Sequence, residues 1–205
     1  MSSADNPFAP MPHVTIGACV SRGLSLYTSN LGWLAAAGLL AAVVQAFLIA
    51  STAGWAILLG MVLTVPAYMG VYAVASAGTR GEAIDVHTLL SGFKDPRAYA
   101  LGVAQSVLLV VSILLFVLPV FVSVVGLTWS AVALQRRPDI GAIDAIKRSF
   151  GLARKHLGIT LLITLMAIIF DSLGTGTLLL GAVTIPIMVC VKLIAFEAVD
   201  DGLHR

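Results

Sequence analysis

Long apolar segments constrain what this chain can fold into more than any other feature. Leu31–Ala50 and residues 54–77 are almost entirely apolar and are separated by a short polar turn. A helix needs roughly 20 apolar residues to cross about 30 Å of hydrocarbon. Charged residues make up only 11% of the chain, whereas a soluble domain carries roughly 25%. The sequence therefore predicts an all-α, polytopic membrane protein surrounded by lipid.

Two later segments are each predicted to form a pair of crossings. Residues 98–134 are too long for one ordinary span of about 20 residues and slightly short for two, so we expect two short spans joined by a tight turn near Pro119. Residues 157–199 have room for two spans and are broken by Gly-Thr-Gly-Thr at 174–177. We therefore predict about six spans, at residues 31–50, 54–77, 98–117, 119–135, 157–173 and 175–197.

The beginning of the chain differs from the rest in composition. Residues 1–12 are polar and contain Pro7, Pro10 and Pro12, with no basic segment ahead of a short apolar core. We expect a disordered tail rather than a cleaved signal peptide. Residues 13–205 are predicted to form a single integral membrane domain, because the length leaves no room for a separate soluble module.

The cationic residues predict how the spans are oriented. All 12 Lys and Arg residues fall on one side of a six-span arrangement: at Arg22, in segments 80–97 and 136–155, and beyond residue 191. Because Lys and Arg are retained in cytoplasmic loops, we predict a bacterial inner-membrane protein with both termini in the cytoplasm. A single crossing over 98–134 would instead put the two main basic loops on opposite faces. The net charge of +2 is too small to indicate nucleic-acid binding.

The chain contains an internal repeat. Residues 58–66 (Leu-Leu-Gly-Met-Val-Leu-Thr-Val-Pro) resemble residues 179–186 (Leu-Leu-Gly-Ala-Val-Thr-Ile-Pro) with one gap, and residues 22–32 resemble residues 148–158 in hydrophobic pattern. Each copy combines a short amphipathic helix, a span and a span with a proline, and residues 84–119 form a more divergent middle copy. Because two spans per copy preserve orientation, we predict three parallel repeats about an axis along the membrane normal.

Short amphipathic helices are predicted before each pair of spans. In the third, Ile143, Ile146, Phe150, Ala153 and Leu157 recur at helical spacing and form one apolar face. The first and second helices have similar faces, formed by Ile16, Val20, Leu24, Tyr27 and Leu31, and by Val86, Leu90 and Phe93. Such helices lie at the level of the lipid headgroups, with their apolar side in the acyl boundary.

Cations on and around the third amphipathic helix form the predicted lipid or partner face. They are Arg136, Arg137, Lys147, Arg148, Arg154 and Lys155. Their charge would attract anionic headgroups at the cytoplasmic surface, or a soluble protein partner. The simpler interpretation is that these helices only anchor the bundle.

Prolines within the spans mark candidate kinks or ligand-site positions. Pro66, Pro119 and Pro186 each remove a backbone donor and free a carbonyl in the preceding turn. Thr64 and Thr184 stand just before two of these prolines, and their hydroxyls are suitable local partners for such carbonyls. One hypothesis is a broken-helix ligand site in mid-bilayer, as in transporters. The other is a structural kink that improves packing.

Few ionisable or amide side chains fall inside the spans. Lys192, a further candidate position, either reaches the headgroups with its long stem or couples to Glu197, although that spacing is not a face-to-face helical pair. Asp171 would cap the nearby turn or take part in a proton relay. Gln45 and Gln105 are suited to hydrogen bonds between helices. A smooth ridge for close packing, within the chain or between two copies in a homo-oligomer, is formed by Gly38, Ala42, Ala46 and Ala50.

The sequence contains no motif of a catalytic, metal or cofactor site. The four histidines lie outside the predicted spans, and no metal-type spacing links the two cysteines, Cys19 and Cys190. No P-loop, dinucleotide fingerprint or Gly-x-Ser-x-Gly elbow occurs. We therefore predict a protein that is not an enzyme and that needs no cofactor.

One segment resembles a known family pattern. Residues 142–156 carry Ala145-Ile146, Ser149 and Leu152 ahead of a span, and the final span bears a proline. The chain thereby resembles the YciC-like bacterial inner-membrane proteins and the membrane domain attached to some glycerophosphodiester phosphodiesterases, loosely over residues 13–200. The resemblance implies a six-helix membrane domain without an assigned biochemical activity.

Two functions of different classes fit these features. The first is a non-enzymatic protein that organises or assists an envelope process through its basic cytoplasmic face. The alternative is a small transporter or channel for a neutral, amphipathic or lipid-like solute, suggested by the repeat and the mid-span prolines. A cavity at the level of the mid-bilayer would favour the alternative, and a solid centre would exclude it.

Overall fold

The computed structural model describes residues 15–50, 54–115, 117–175 and 177–201. The predicted tail at residues 1–12 and the turn residues 51–53 and 176 lie outside these ranges. All regular secondary structure within them is helical, which confirms the predicted all-α class. In chain order the helices are α1 (Ile16–Ser29), α2 (Leu31–Ala50), α3 (Gly54–Arg80), α4 (Val86–Leu89), α5 (Ser91–Lys94), α6 (Pro96–Leu114), α7 (Val117–Leu127), α8 (Ser130–Arg136), α9 (Ala142–Lys155), α10 (Leu157–Thr175) and α11 (Leu178–Asp201).

Three helices are long and apolar enough to cross a membrane by themselves. The qualifying stretches are Val62–Arg80 of α3, Pro96–Leu114 of α6 and Leu178–Asp200 of α11. The number rises to five if α1 with α2, and α9 with α10, each count as one bent span. Val120–Arg136, across α7 and α8, is a shorter apolar segment. The described ranges thus hold three to five candidate spans. Helices lie within each segment predicted to be a span, but residues 128–129 interrupt segment 119–135 between α7 and α8.

Sharp bends separate two amphipathic helices from the helices that follow them. α1 meets α2 at 100°, and α9 meets α10 at 113°. Asn30 leaves the helical conformation with φ −124°, and its Nδ2 donates to the Leu26 carbonyl at 3.2 Å, which ends α1. His156 ends α9 with φ −122°, and its backbone N–H donates to the Leu152 carbonyl at 2.8 Å. Both helices therefore run across the direction of the next one.

The amphipathic helices contact the bundle through a narrow face of small residues. In α9 this face contains Ala145, Ser149 and Leu152, which are at most 2% exposed. Ile143 and Leu157, from the predicted apolar face, are 64% and 59% exposed. The equivalent buried residues of α1 are Cys19, Gly23 and Leu26. Ile143 and Leu157 thus remain on the outside, whereas Tyr27 and Ala153 of the predicted apolar faces are only 6% and 5% exposed, and Ile146 packs against the core.

The helices α3 and α11 each pack against a neighbour in the chain and against helices that are more distant in the sequence. α3 contacts α2, its neighbour in the chain, and also α5 and α6. α11 contacts α10, its neighbour in the chain, and also α1, α2 and α3. α7 and α8 contact α9, and α6 contacts both α3 and α7. The two prolines inside α3 and α11 therefore lie in the most heavily packed helices of the described structure.

Two glycines allow very close helix contacts at these prolines. A Cβ added at Gly38 of α2 would lie 2.5 Å from the Ala182 carbonyl oxygen and 2.6 Å from Cδ of Pro186 in α11. A Cβ added at Gly102 of α6 would lie 2.7 Å from the Val62 carbonyl oxygen of α3. A helical proline leaves the carbonyl four residues earlier without its donor. The glycine backbones therefore cover the carbonyls that the two prolines free.

The threonines next to these prolines bond other carbonyls. Thr64 Oγ1 donates to the Gly60 carbonyl at 2.8 Å, and Thr184 Oγ1 donates to the Leu180 carbonyl at 2.9 Å. Each hydroxyl thus bonds the carbonyl four residues before itself, a common arrangement of hydroxyls in helices. The prediction that they satisfy the carbonyls freed by the prolines is wrong, because a helical hydroxyl reaches the carbonyl three or four residues before it, whereas the freed carbonyl lies only two residues before each threonine.

Candidate functional site

A cavity of about 560 Å³ lies between the long helices. Its walls come from α2, α3, α6, α7, α8, α10 and α11, so that every predicted span contributes to it. The lining residues are Gln45, Thr64, Val65, Tyr68, Tyr72, Gln105, Ser106, Leu109, Val124, Leu127, Thr128, Ala131, Thr164, Ala167, Ile168, Asp171 and Lys192.

A chain of hydrogen bonds crosses three helices on one side of the cavity. Nε2 of Gln45 in α2 donates to the Tyr68 hydroxyl of α3 at 2.8 Å, and that hydroxyl donates to Asp171 Oδ1 of α10 at 3.2 Å. Tyr72, one helical turn after Tyr68, is 2% exposed and also lines the cavity. A carboxylate in apolar surroundings needs donors of this kind. The chain of bonds therefore holds the Asp171 carboxylate at the cavity wall.

Lys192 of α11 contributes the cationic group of the cavity. The side chain is partly exposed and lines the cavity, well before the end of α11. Within the described ranges no hydrogen-bond partner is found for its Nζ, and no carboxylate oxygen lies within 4 Å of it. Its charge interacts with that of Asp171. Lys192 thus lines the cavity, and within the described ranges Glu197 forms an ion pair with Arg136 and none with Lys192.

Neutral polar groups occupy other parts of the cavity wall. Nε2 of Gln105 in α6 donates to Ser130 Oγ of α8 at 2.6 Å. The hydroxyls of Thr128 and Thr164 are hydrogen-bonded to each other between α7 and α10. The prediction that Gln45 and Gln105 form hydrogen bonds between helices is confirmed for both. These contacts position polar side chains at the cavity while joining its walls.

The remaining wall is apolar and reaches the outside of the bundle. Leu109, Val124 and Leu127 line the cavity from α6 and α7, and Ile168 lines it from α10. Ile168 is also 45% exposed, so the apolar wall continues to the outer surface of the helices. The cavity therefore combines a few polar groups with an apolar side that borders the lipid-facing surface.

The structure brings together some of the residues singled out in the sequence. Thr64 and Lys192 line the cavity, whereas Pro66, Thr184 and Pro186 are buried away from it. The side chain of Pro119 lies outside the described part of the structure. Asp171, Gln45 and Gln105 are cavity residues as well, and Asp171 accepts a hydrogen bond from the Tyr68 hydroxyl. The turn that Asp171 was predicted to cap includes residue 176, which lies outside the described residues.

The two tyrosines of the cavity were not among the residues singled out in the sequence. Tyr68 and Tyr72 follow Pro66 in an otherwise apolar span. A tyrosine hydroxyl buried in an apolar region usually has a hydrogen-bond partner. A pair of tyrosines one helical turn apart inside a span was therefore a signal that polar groups from other helices converge on α3.

Half of the predicted basic face joins helices to one another. Arg136 of α8 forms an ion pair with Glu197 of α11, and Arg137 and Arg148 both form ion pairs with Asp200. The Asp200 side chain is only 12% exposed. These contacts hold α8 and α9 against the end of α11, so these arginines have a structural role at this face.

Three cations of the same face remain exposed. They are Lys147, Arg154 and Lys155. Lys147 Nζ lies 3.8 Å from Asp144 Oδ1, in a pair whose two side chains are 75% and 67% exposed. Such exposed pairs contribute little to stability, and these cations stay accessible to solutes or headgroups.

The described residues offer no arrangement of metal ligands. Within ranges 15–50, 54–115, 117–175 and 177–201, no group of three or more His, Cys, Asp or Glu side chains could hold an ion, and Cys19 and Cys190 are free and buried. A comparison of the chain with protein-family models, curated proteins and solved structures finds no match.

Proposed function

We propose that this chain is a non-enzymatic, multi-pass inner-membrane protein of bacteria that binds an amphipathic solute in its central cavity and moves it between the bilayer and one membrane face. The cavity carries this proposal. Ligand sites are clefts of roughly 300–1,000 Å³, lined mainly by apolar side chains with a few well-placed polar groups. The cavity has a volume of about 560 Å³ and this type of lining.

The ionisable side chains of the cavity support a binding role. Asp171 and Lys192 belong to helices that cross the bilayer in the proposed arrangement, and a charge inside a membrane is costly unless it serves a substrate or ion pathway. Both side chains line the cavity. A bundle that served only as a scaffold would be more stable with an apolar residue in place of Lys192, which has no partner among the described residues.

A six-span arrangement with cytoplasmic termini is part of the proposal. α2 and α10 have 20 and 19 residues, enough to cross the hydrocarbon core separately from the amphipathic helices that meet them at bends. α7 and α8 together would form the remaining crossing. Two basic loops, before α6 and before α9, then lie on the same side, in agreement with the retention of Lys and Arg in cytoplasmic loops.

Equivalent contacts support three parallel repeats. Gly38 of α2 lies against the carbonyl freed by the proline of α11, and Gly102 of α6 lies against the carbonyl freed by the proline of α3. The first span of the middle copy, α6, thus packs on the second span of the first copy, α3. In the same way the first span of the first copy, α2, packs on the second span of the last copy, α11. Contacts of this kind close three copies into a ring around the cavity.

Residues at equivalent positions of the first spans also support the repeat. Gln45 of α2, Leu109 of α6 and Asp171 of α10 occur at matching distances from the helix starts, and all three line the cavity. In the middle copy the second span is divided into α7 and α8. There Gly126 makes the close contact with the next amphipathic helix, through the Phe150 ring.

The second candidate function is an organising role at the cytoplasmic face. The exposed Lys147, Arg154 and Lys155 stand beside the exposed apolar side chains Ile143 and Leu157. This combination favours contact with anionic lipid headgroups, or with a protein that docks there. It ranks second because the arginines of this face already form ion pairs with α11.

Filling the cavity tests the proposed function. Leu109→Trp replaces a cavity-lining leucine by the larger indole side chain. The control Val107→Trp, on the same helix, changes a side chain that is 58% exposed on the outer surface. The full chain is purified from its membrane, and bound amphiphiles are identified by native mass spectrometry. We expect the wild type and Val107→Trp to retain the same amphiphile, and Leu109→Trp to lose most of it.

Two results would contradict this expectation. A wild-type protein that carries no amphiphile after mixing with a total membrane lipid extract would exclude a binding cavity. Equal occupancy in Leu109→Trp and Val107→Trp would show that the amphiphile binds elsewhere on the outer surface. Either result would leave the basic cytoplasmic face as the working surface.

A further inference from the structure

The cavity contains two opposite charges that do not neutralise each other by contact. Asp171 and Lys192 are the charged side chains among its lining residues. A pair that served only to balance charge would be expected to close into direct contact, because a desolvated ion gains most from a partner at hydrogen-bond distance. No such contact within 4 Å joins the Lys192 ammonium and the Asp171 carboxylate in the described structure.

Both groups have unused hydrogen-bonding capacity. The Lys192 ammonium has three donors, none of which bonds a described residue. Among the described residues, Asp171 accepts a bond from the Tyr68 hydroxyl at 3.2 Å, and a carboxylate can accept about four. Tyr68 is itself held by Gln45 at 2.8 Å, so the carboxylate is fixed at the wall with acceptor sites that no described residue occupies.

The pair of charges selects against ligands with a single charge. An anion would bond Lys192 but would be repelled by Asp171. A cation would bond Asp171 but would be repelled by Lys192. A ligand that carries both an ammonium and an acidic group satisfies both side chains and leaves the cavity neutral. Charge-assisted hydrogen bonds of this kind are about twice as strong as neutral ones.

The apolar wall decides between a water-soluble zwitterion and an amphiphile. Leu109, Val124 and Leu127 offer no polar partner, and Ile168 continues this wall to the outer surface with 45% of its area exposed. An acyl chain can lie along such a wall and extend into the bilayer, whereas a small zwitterion would leave the wall in contact with water.

We infer that the cavity binds a zwitterionic amphiphile, whose ammonium is held by Asp171 and whose phosphate or carboxylate is held by Lys192. The inference rests on the proposed function and defines the class of its solute. The apolar chain of the ligand lies against α6, α7 and α10. Tyr68 and Gln45 position the Asp171 carboxylate.

A panel of single-chain amphiphiles tests the charge selection on the wild-type full chain in maltoside micelles. The probes are lysophosphatidylethanolamine as zwitterion, lysophosphatidylglycerol as anion, dodecylamine as cation, monoacylglycerol as uncharged amphiphile and phosphoethanolamine as headgroup alone. Dissociation constants are measured by isothermal titration calorimetry. We expect the zwitterionic amphiphile to bind at least roughly tenfold more tightly than each of the others, since it alone makes both charge-assisted contacts.

Isosteric variants then assign the two ends of the ligand. Asp171→Asn and Lys192→Gln are each expected to weaken lysophosphatidylethanolamine binding roughly tenfold or more. Asp171→Asn should not weaken binding of the anion, and Lys192→Gln should not weaken binding of the cation, because the repelling charge is the one removed. The control variants Glu82→Gln and Arg80→Gln remove an acid and a base of an exposed pair at the end of α3, outside the cavity lining, and should leave all affinities unchanged.

The outcomes separate this inference from the function on which it rests. If no amphiphile binds the wild type, the proposed function itself is wrong. If the zwitterionic amphiphile binds no more tightly than the anionic, cationic and uncharged amphiphiles, the cavity binds a solute but the zwitterion inference is overturned. If phosphoethanolamine binds as tightly as its single-chain lipid, the ligand is a water-soluble zwitterion and the amphiphile inference is overturned. The wild-type panel gives these answers even if a variant fails to fold.

Discussion

Ser149 joins backbone segments at the point where α7 ends and α8 begins. Its Oγ donates to the Gly126 carbonyl and accepts a bond from the Trp129 backbone N–H at 3.0 Å. Trp129 is 0% exposed, and its indole Nε1 donates to Thr160 Oγ1 at 3.0 Å. One hydroxyl of α9 therefore satisfies two backbone groups that the helix break leaves without helical partners, in a site that water does not reach.

Replacing Ser149 tests this role. Ser149→Ala leaves the Trp129 N–H and the Gly126 carbonyl buried without partners, and we expect the free energy of unfolding to fall by about 1–3 kcal/mol. The measurement is thermal unfolding of the full chain in micelles, followed by tryptophan fluorescence. In the control Ser21→Ala the lost hydroxyl is exposed and bonds only the Ala18 carbonyl of its own helix, at 3.1 Å. Equal midpoints for the two variants would contradict the assignment.

At the scale of helices, packing of the spans depends on the absence of a side chain at two crossings. α2 lies against α11 at Gly38, and α6 lies against α3 at Gly102. Both neighbours at these points are backbone carbonyls, which cannot move aside like the end of a flexible side chain. Of the helices at these crossings, α2 contributes Gln45 and α6 contributes Leu109 to the wall of the cavity.

A pair of alanine variants on one helix tests the close crossing. In Gly38→Ala the new Cβ would lie 2.5 Å from the Ala182 carbonyl oxygen, so α2 must shift, and we expect a loss of about 1–3 kcal/mol. Gly32→Ala is the matched control, since nothing lies within 4 Å of its Cβ. There alanine should be neutral or stabilise the helix by up to about 1 kcal/mol. A Gly38→Ala protein as stable as Gly32→Ala would show that α2 and α11 do not cross this closely.

At the scale of the whole molecule, the number of crossings depends on the segment of α6, α7 and α8. If it crosses twice, the loops that contain Glu82 and Asp139 lie on the same side of the membrane. If it crosses once, they lie on opposite sides. The orientation also decides from which aqueous side a solute in the cavity can leave, because Asp171 is close to the end of α10 that leads to Thr177.

Single-cysteine labelling distinguishes these arrangements. Glu82→Cys, Asp139→Cys and Thr177→Cys introduce thiols at exposed positions, while the native Cys19 and Cys190 are buried. With a membrane-impermeant maleimide, we expect Thr177→Cys to react in cells with a permeabilised outer membrane. Glu82→Cys and Asp139→Cys should react only in inverted vesicles. Labelling of Glu82→Cys and Asp139→Cys from opposite sides would exclude six spans, and labelling of the wild type would reveal access to the native thiols.

Local composition was sufficient to determine where the helices lie. Runs of about twenty apolar residues gave the segments occupied by α2, α3, α6 and the helices that follow, because the length of an apolar run depends only on neighbouring residues. The amphipathic helices α1 and α9 followed from apolar residues at helical spacing for the same reason. The bends that separate them from α2 and α10 fall at Asn30 and His156, beside the starts of these apolar runs.

The cavity was decided by the tertiary structure. Tyr68 bonds Asp171, a residue 103 positions away in the chain, and no local pattern specifies that partner. Lys192 illustrates the same limit: hydropathy placed it near a span end, but the rotation of α11 against its neighbours turned it to the cavity. An apolar helix presents similar composition on every side, so its inward face is selected by contacts with other helices, such as Gly38 on the turn at Pro186. The sequence by itself therefore determined the apolar helices, and packing between distant segments determined which of their few polar groups meet.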